Sequence, residues 1–163
     1  MKLAGRDRQQ ARFPRSEPKA SGDFTKLADY PHTMAKSLAD LVREALAEVR
    51  EITPEEVRAL LDRPDRGGYE IVDVREADEF AAGHVPGARH YPRGFLEVKA
   101  DLEHPKRDAW LSADRDRPIV LYCGGGHRSA LAAQSLQRMG FTPLTSMAEG
   151  FTGWTKRAYL VET

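Results

Sequence analysis

The segment Ile-Val-Leu-Tyr-Cys-Gly-Gly-Gly-His-Arg-Ser-Ala-Leu, residues 119 to 131, holds the only cysteine of the 163-residue chain, Cys123. The cysteine stands where a short apolar run ends and three glycines begin. A cysteine acts as a nucleophile in its thiolate form. Glycines carry no Cβ and tolerate positive φ, so Gly124, Gly125 and Gly126 let the backbone curl tightly. Amide N–H groups turned inward by such a curl make a cavity for an anion, and a helix N-terminus directly after it adds partial positive charge. Arg128, and His127 when protonated, strengthen that field, which favours the thiolate. The alternative is a buried, inert cysteine packed as a small hydrophobe. The glycines, Arg128 and the helix start weigh toward a reactive thiol.

The elements that must position this loop are legible on either side of it. Pro118 can open a strand, and Ile119 to Tyr122 form an apolar run of strand length. From Ser129 onward Ala, Leu, Gln and Met predominate, which predicts a helix stopped by Gly140. The string from Cys123 to Ser129 resembles the active-site loop of the rhodanese-like sulfurtransferases, C-x-x-G-x-R-S. That resemblance implies that Cys123 carries sulfur as a persulfide and that the amides of Gly124 to Arg128 cradle it. A cysteine phosphatase loop, C-x5-R, places its arginine six residues after the cysteine. Here Arg128 lies five after Cys123, so the ring is smaller and suits one sulfur atom better than a phosphate-sized oxyanion.

Two further strings extend the resemblance. Residues 73 to 88 are similar to the family's first half, D-x-R-x-x-x-E-F-x-x-G-H-x-x-G-A, from Asp73 and Arg75 through Glu79-Phe80 and Gly83-His84 to Ala88. Asp73 and Arg75 can be read as catalytic groups or as anchors, and the structural role is the preferred reading. His84, between Gly83 and Val85-Pro86-Gly87, is read as fixing a turn rather than as a general base, and Ser129 as further support. Residues 148 to 154 resemble the closing signature G-G-x-x-x-W, with Glu149 in place of one glycine. In an open α/β sheet ligands bind outside the carboxyl ends of the strands. Arg93 follows one such end, so it either faces the Cys123 loop and holds an anionic donor or is a plain surface arginine.

Composition bounds the remainder. Lys plus Arg and Asp plus Glu balance at 25 each, so no bulk field argues for nucleic acid or a membrane surface. A single cysteine excludes an internal disulfide and fits a reducing compartment. No run reaches the roughly 18 apolar residues of a membrane span, and the N-terminus lacks the apolar core of a secretory signal; a soluble cytoplasmic protein is expected. Residues 1–33 carry scattered apolar residues, Pro14, Pro18 and Pro31, and seven basic against four acidic side chains. They are read as a disordered tail, with Met34 as an alternative start. Residues 34–50 repeat apolar positions at three- and four-residue spacing and predict an amphipathic helix packed on the domain. Thr53-Pro54-Glu55-Glu56 predicts a second, capped helix ending near Arg63-Pro64. Strands are expected at Tyr69–Val74, around Arg89–Pro92 and at Pro143–Met147, and residues 102–117 are expected to be irregular.

Strands alternating with helices predict an α/β fold with a parallel sheet covered on both faces. The resemblance implies the five-stranded rhodanese-like version over 51–163. It also implies a sulfurtransferase with a small anionic sulfur donor and a thiol, cyanide or protein-cysteine acceptor. No His/Cys or His/carboxylate set has metal-ligand spacing, and neither metal nor cofactor is expected. The other readings are a non-enzymatic rhodanese-like interaction module, or a cysteine-dependent phosphatase or arsenate reductase. The short loop and the lack of a second cysteine argue against the last pair.

Overall fold

Three strands buried on both faces form the centre of the computed structural model, which describes residues 35–163. They are β2 (Glu70–Asp73), β4 (Ile119–Tyr122) and β5 (Leu144–Met147), flanked by two short edge strands, β1 (Arg50–Ile52) and β3 (Arg89–His90). The order is β1-β5-β4-β2-β3 and every pairing is parallel. A parallel sheet needs cover on both faces, because its crossovers place helices there. Accordingly β4 is apolar at every position and buried throughout. Its residues alternate between faces. Ile119, Leu121 and Cys123 join one core layer with Ala132, Ala133 and Leu136. Val120 and Tyr122 join the other, with Val57 and Trp154.

The helices are α1 (Leu38–Leu46), α2 (Pro54–Leu61), α3 (Ala77–Ala81), α4 (Leu96–Ala100), α5 (Ala109–Ala113), α6 (His127–Arg138) and α7 (Gly150–Lys156). The α/β class and the five-stranded parallel sheet are as the sequence and the resemblance imply. Among the described residues no helix is long and apolar enough to cross a membrane. The expected tail, residues 1–33, lies outside the described residues, as does Met34.

Several boundaries differ from the sequence reading. The helix expected over 34–50 spans only Leu38–Leu46, because Ser37 caps it: its hydroxyl accepts from the Asp40 amide and the Asp40 carboxylate accepts from the Ser37 amide. Arg50 to Ile52 instead form β1, in register with Thr145 to Met147. Three residues of edge strand carry no periodic signal, and their pairing is purely tertiary. Of the α1 stripe, Val42 and Ala45 are buried, while Leu38 and Leu41 stay 58% and 41% exposed. The α2 start is the predicted capping box of Thr53 with Glu56. Within the stretch expected to be irregular, the Asp108 carboxylate accepts from the Trp110 and Leu111 amides and starts α5. At the far end of α6, Gly140 takes the expected positive φ, 90°.

The C-terminal residues are tied down through α7. Trp154 is fully buried, donates its indole N–H to the Leu160 carbonyl at 2.8 Å and meets Tyr159 edge-on at 4.9 Å. Trp154→Ala should therefore lower the unfolding free energy by about 3–5 kcal/mol, read as a fall in the urea midpoint at unchanged slope.

Candidate active site

Cys123 lies at the carboxyl end of the central strand, 1% exposed. The chain leaves β4, passes the three glycines and enters α6 at His127, with Gly126 as N-cap at φ 95°. Only Gly126 of the three has positive φ. Its amide donates to the Cys123 Sγ at 3.2 Å. Gly124 has a different reason to lack a side chain: a Cβ there would stand 3.3 Å from Arg128 Nη2. Gly125 is exposed, and a Cβ there would meet nothing within 4 Å. Of the three glycines expected to act alike, Gly126 answers a backbone demand and Gly124 a close approach, while Gly125 is under neither.

Below the sulfur, hydroxyls form a short chain. The Ser129 hydroxyl lies 3.7 Å from Sγ and 2.9 Å from the Gly126 carbonyl, and the Ser146 hydroxyl is 2.9 Å from it. If Ser146 donates to Ser129, the single proton of Ser129 can go to the carbonyl or to the sulfur. Ser146 was absent from the sequence reading. Its signal was a polar residue inside β5, a strand buried at every position.

The outward side of the loop is held by α7. Its first-turn amides have no acceptors within the helix. Phe151 N donates to the Cys123 carbonyl at 2.7 Å and Thr152 N to the Gly124 carbonyl at 2.9 Å. With these carbonyls engaged by α7, the other side of the curl is left for amides. Gly150, at φ 54°, is required by this approach, since a Cβ there would collide with the Cys123 carbonyl oxygen. The preceding residue, Glu149, is left-handed at φ 58° without being glycine. Its carboxylate is gripped by the Arg157 guanidinium at 3.0 and 3.2 Å.

The loop rim is a matched ion pair. Arg128 donates to both oxygens of Glu79, at 2.7 and 2.8 Å. The hydrogen bonds from Arg128 hold the Glu79 carboxyl down at about 2. Glu79 had been noted only as part of a motif. Its charge offsets much of the field that Arg128 was expected to bring to the sulfur.

A family model for the rhodanese-like domain matches residues 53–157, which includes every element from α2 to α7. The chain belongs to the rhodanese-like family. A thiosulfate sulfurtransferase, GlpE, from Pseudomonas aeruginosa is 34% identical over 103 residues, 63% of this chain and 81% of that one. Two solved structures are similar. A protein of unknown function, possibly a tyrosine phosphatase, from Rhodopseudomonas palustris has a TM-score of 0.73 at 31% identity, covering 81% of this chain and 98% of its own. The human single-domain sulfurtransferase TSTD1 has a TM-score of 0.57 at 28% identity, covering 67% and 97%.

In this rhodanese-like chain the other residues singled out from sequence fall into distinct places. Asp73 and Arg75 form a buried pair, 0% and 3% exposed, with Arg75 Nη2 at 2.6 Å from the Asp73 carboxylate and 2.7 Å from the Gly83 carbonyl. His84 Nδ1 lies 3.2 Å from the Phe80 carbonyl, and the His84 backbone bridges Glu162 in both directions. These are the contacts of anchors. Arg93 donates to Glu97 at 2.6 Å and to Ser135 at 3.0 Å. Ser135 is eight residues along α6 from His127, roughly 12 Å at 1.5 Å per residue. Arg93 is therefore bonded to the C-terminal third of α6 rather than to the loop at its start. His127 is exposed and faces α1 rather than the sulfur.

Gly126→Ala should cost about 1–3 kcal/mol through its left-handed backbone, whereas Gly125→Ala should leave the urea midpoint unchanged. Glu79 titrates near 2 when folded against a usual value of 4.5. Its pairing therefore stabilises fully above the usual value and is lost as pH falls toward 2. The stability difference between wild type and Glu79→Gln should be constant from neutral pH to about 5.5 and vanish between 4.5 and 2, measured by urea titration at each pH.

Proposed function

We propose that this chain is a sulfurtransferase that moves a sulfane sulfur through a persulfide on Cys123. The observation that carries the reading is the Cys123 Sγ accepting the Gly126 amide at the mouth of a helix N-terminus, in a ring closed by Arg128 five residues on. In the first half-reaction the Cys123 thiolate attacks the outer sulfur of thiosulfate. The new bond is Sγ–S, the bond broken is S–SO3, and its electron pair leaves with sulfite. A persulfide donor reacts alike, releasing a thiolate. The loop amides stabilise the persulfide anion and the first turn of α6 adds its partial charge. In the second half-reaction an acceptor takes the outer sulfur: cyanide becomes thiocyanate, and a thiol or a protein cysteine becomes a persulfide. No second thiol occurs in these 163 residues, so the acceptor is a separate molecule. Every step uses side chains and substrates alone, without metal or cofactor. Thiolate chemistry of this kind suits a reducing, cytoplasmic compartment.

Phosphate-ester hydrolysis is the reading favoured by the description of the Rhodopseudomonas palustris neighbour. Against it stands the ring of four residues between Cys123 and Arg128, one fewer than a cysteine phosphatase loop uses. Incubation with thiosulfate followed by intact-mass measurement should show one added sulfur on the wild type, removed by cyanide as thiocyanate. Cys123→Ser should show neither the mass gain nor thiocyanate above background, with an unchanged urea midpoint. Hydrolysis of an aryl phosphate by wild type at a rate comparable to sulfur transfer would replace this reading with the phosphatase one. A folded wild type that gains no sulfur would leave the interaction-module reading standing.

A further inference from the structure

Arg128 and Glu79 bring two opposite charges to the rim of the loop, whereas the persulfide chemistry of Cys123 calls for only the positive one. A Cβ on Gly124, the residue after Cys123, would stand 3.3 Å from Arg128 Nη2 and 3.8 Å from Glu79 Oε1. Both charged groups therefore border the first step of the curl. The Glu79 carboxylate is fixed from two sides. Its Oε2 accepts from the Glu76 amide at 3.1 Å and from Arg128 Nη1 at 2.7 Å, and its Oε1 accepts from Arg128 Nη2 at 2.8 Å. The Arg128 guanidinium is held above its usual range by Glu79 first and by Cys123 after it, so it faces the sulfur as well as the carboxylate. The two side chains are 38% and 34% exposed, and a molecule arriving at the loop meets both.

We propose that Glu79 is a specificity residue for the sulfur donor: by cancelling the Arg128 charge at the rim, it removes the advantage that a dianion such as thiosulfate would have over a singly charged donor. The inference rests on the sulfur-transfer reading and concerns the choice among its donors. The atom that reaches Cys123 is the outer sulfur, so the rest of the donor stays outside the ring and carries its charge to the rim. Beside a lone arginine, each further negative charge on the donor would add attraction. With a carboxylate bonded to the same guanidinium, attraction and repulsion nearly cancel. The amides within the ring act on the transferred sulfur whichever donor brings it. Methanethiosulfonate isolates the effect, since it is thiosulfate with a methyl group in place of one anionic oxygen. Its step balances in the same way: the Cys123 thiolate forms Sγ–S, the S–SO2CH3 bond breaks, and its electron pair leaves with methanesulfinate. Both donors yield the same Cys123 persulfide, so the second half-reaction is common to them.

The test uses the full chain at about pH 8, where a free imidazole is ordinarily neutral, with saturating cyanide and thiocyanate formation as the readout. It compares kcat/KM for thiosulfate with kcat/KM for methanethiosulfonate. In a water-like dielectric, a unit charge about 7 Å from another changes an equilibrium about threefold. Glu79→Gln leaves Arg128 uncompensated and should raise the thiosulfate-to-methanethiosulfonate ratio about threefold. Arg128→Gln leaves the carboxylate uncompensated and should lower that ratio about threefold, whatever it does to the absolute rates. The double variant, Glu79→Gln with Arg128→Gln, again has no net charge at the rim and should return to the wild-type ratio. Salt at about 1 M, where the screening length is about 3 Å, should shrink both single-variant changes. A purely structural role for the pair would affect both donors alike. A ratio unchanged in the folded single variants therefore overturns this inference alone, while the persulfide reading stands. So does a double variant whose ratio departs from the wild type as far as either single variant. A wild type that transfers sulfur from neither donor removes the sulfur-transfer reading and this inference together.

Discussion

Two hydrogen bonds fix the conformation of the loop: those from the Phe151 and Thr152 amides to the carbonyls of Cys123 and Gly124. A peptide unit cannot present its carbonyl and its amide to the same side. Tying the Cys123 and Gly124 carbonyls to α7 therefore turns the amides of Gly124 and Gly125, in the same peptide units, away from that helix. Both partners are groups the chain must satisfy in any case, since the first amides of a helix have no acceptor within it. The same contact explains why Gly150 lacks a side chain, and why a helix distant in sequence takes part in a site on β4.

A second linkage holds α7 in place. Arg75, bonded to Asp73 at the end of β2, lies with its guanidinium carbon 4.1 Å from the centroid of the Phe151 ring. Phe151 is the residue whose amide bonds the Cys123 carbonyl. The buried pair thus connects the end of one central strand to the helix that shapes the loop on the next. A buried ion pair is weak evidence for net stability, but loss of one partner leaves an uncompensated charge and costs about 3–5 kcal/mol. Here the pair also receives backbone partners, Arg75 N to Asp73 and the guanidinium to Gly83, which limits its desolvation cost.

The electrostatics of the rim differ from those of a lone cationic arginine. With Glu79 bonded to both terminal nitrogens, Arg128 is oriented over Gly124 and much of its charge is offset. Backbone dipoles at the loop add a positive field that is fixed by the fold and needs no reorganisation as charge moves between sulfur atoms. Glu79 sits on α3 and Arg128 on α6, so the pair also fastens the segment following β2 to the helix that opens the site.

The sequence by itself determined the local chemistry. The residue types from Cys123 to Ser129 specify a thiol, a curled backbone and a helix start, and the apolar runs of β2, β4 and β5 specify a sheet buried on both faces. Capping residues gave α2, whose signal lies within four neighbouring residues. Tertiary structure decided whatever depends on partners far along the chain. Edge strand β1 exists because it pairs with β5, and no three-residue segment announces that. Ser146 on β5 reaches the hydroxyl of Ser129 on α6, and Glu79 reaches Arg128 across 49 residues. Arg93, which sequence order placed at a strand end near the loop, was claimed instead by Glu97 and Ser135. Residue type and spacing report what a segment can form locally, whereas the direction of a long side chain is set by the charge that folding brings within its reach.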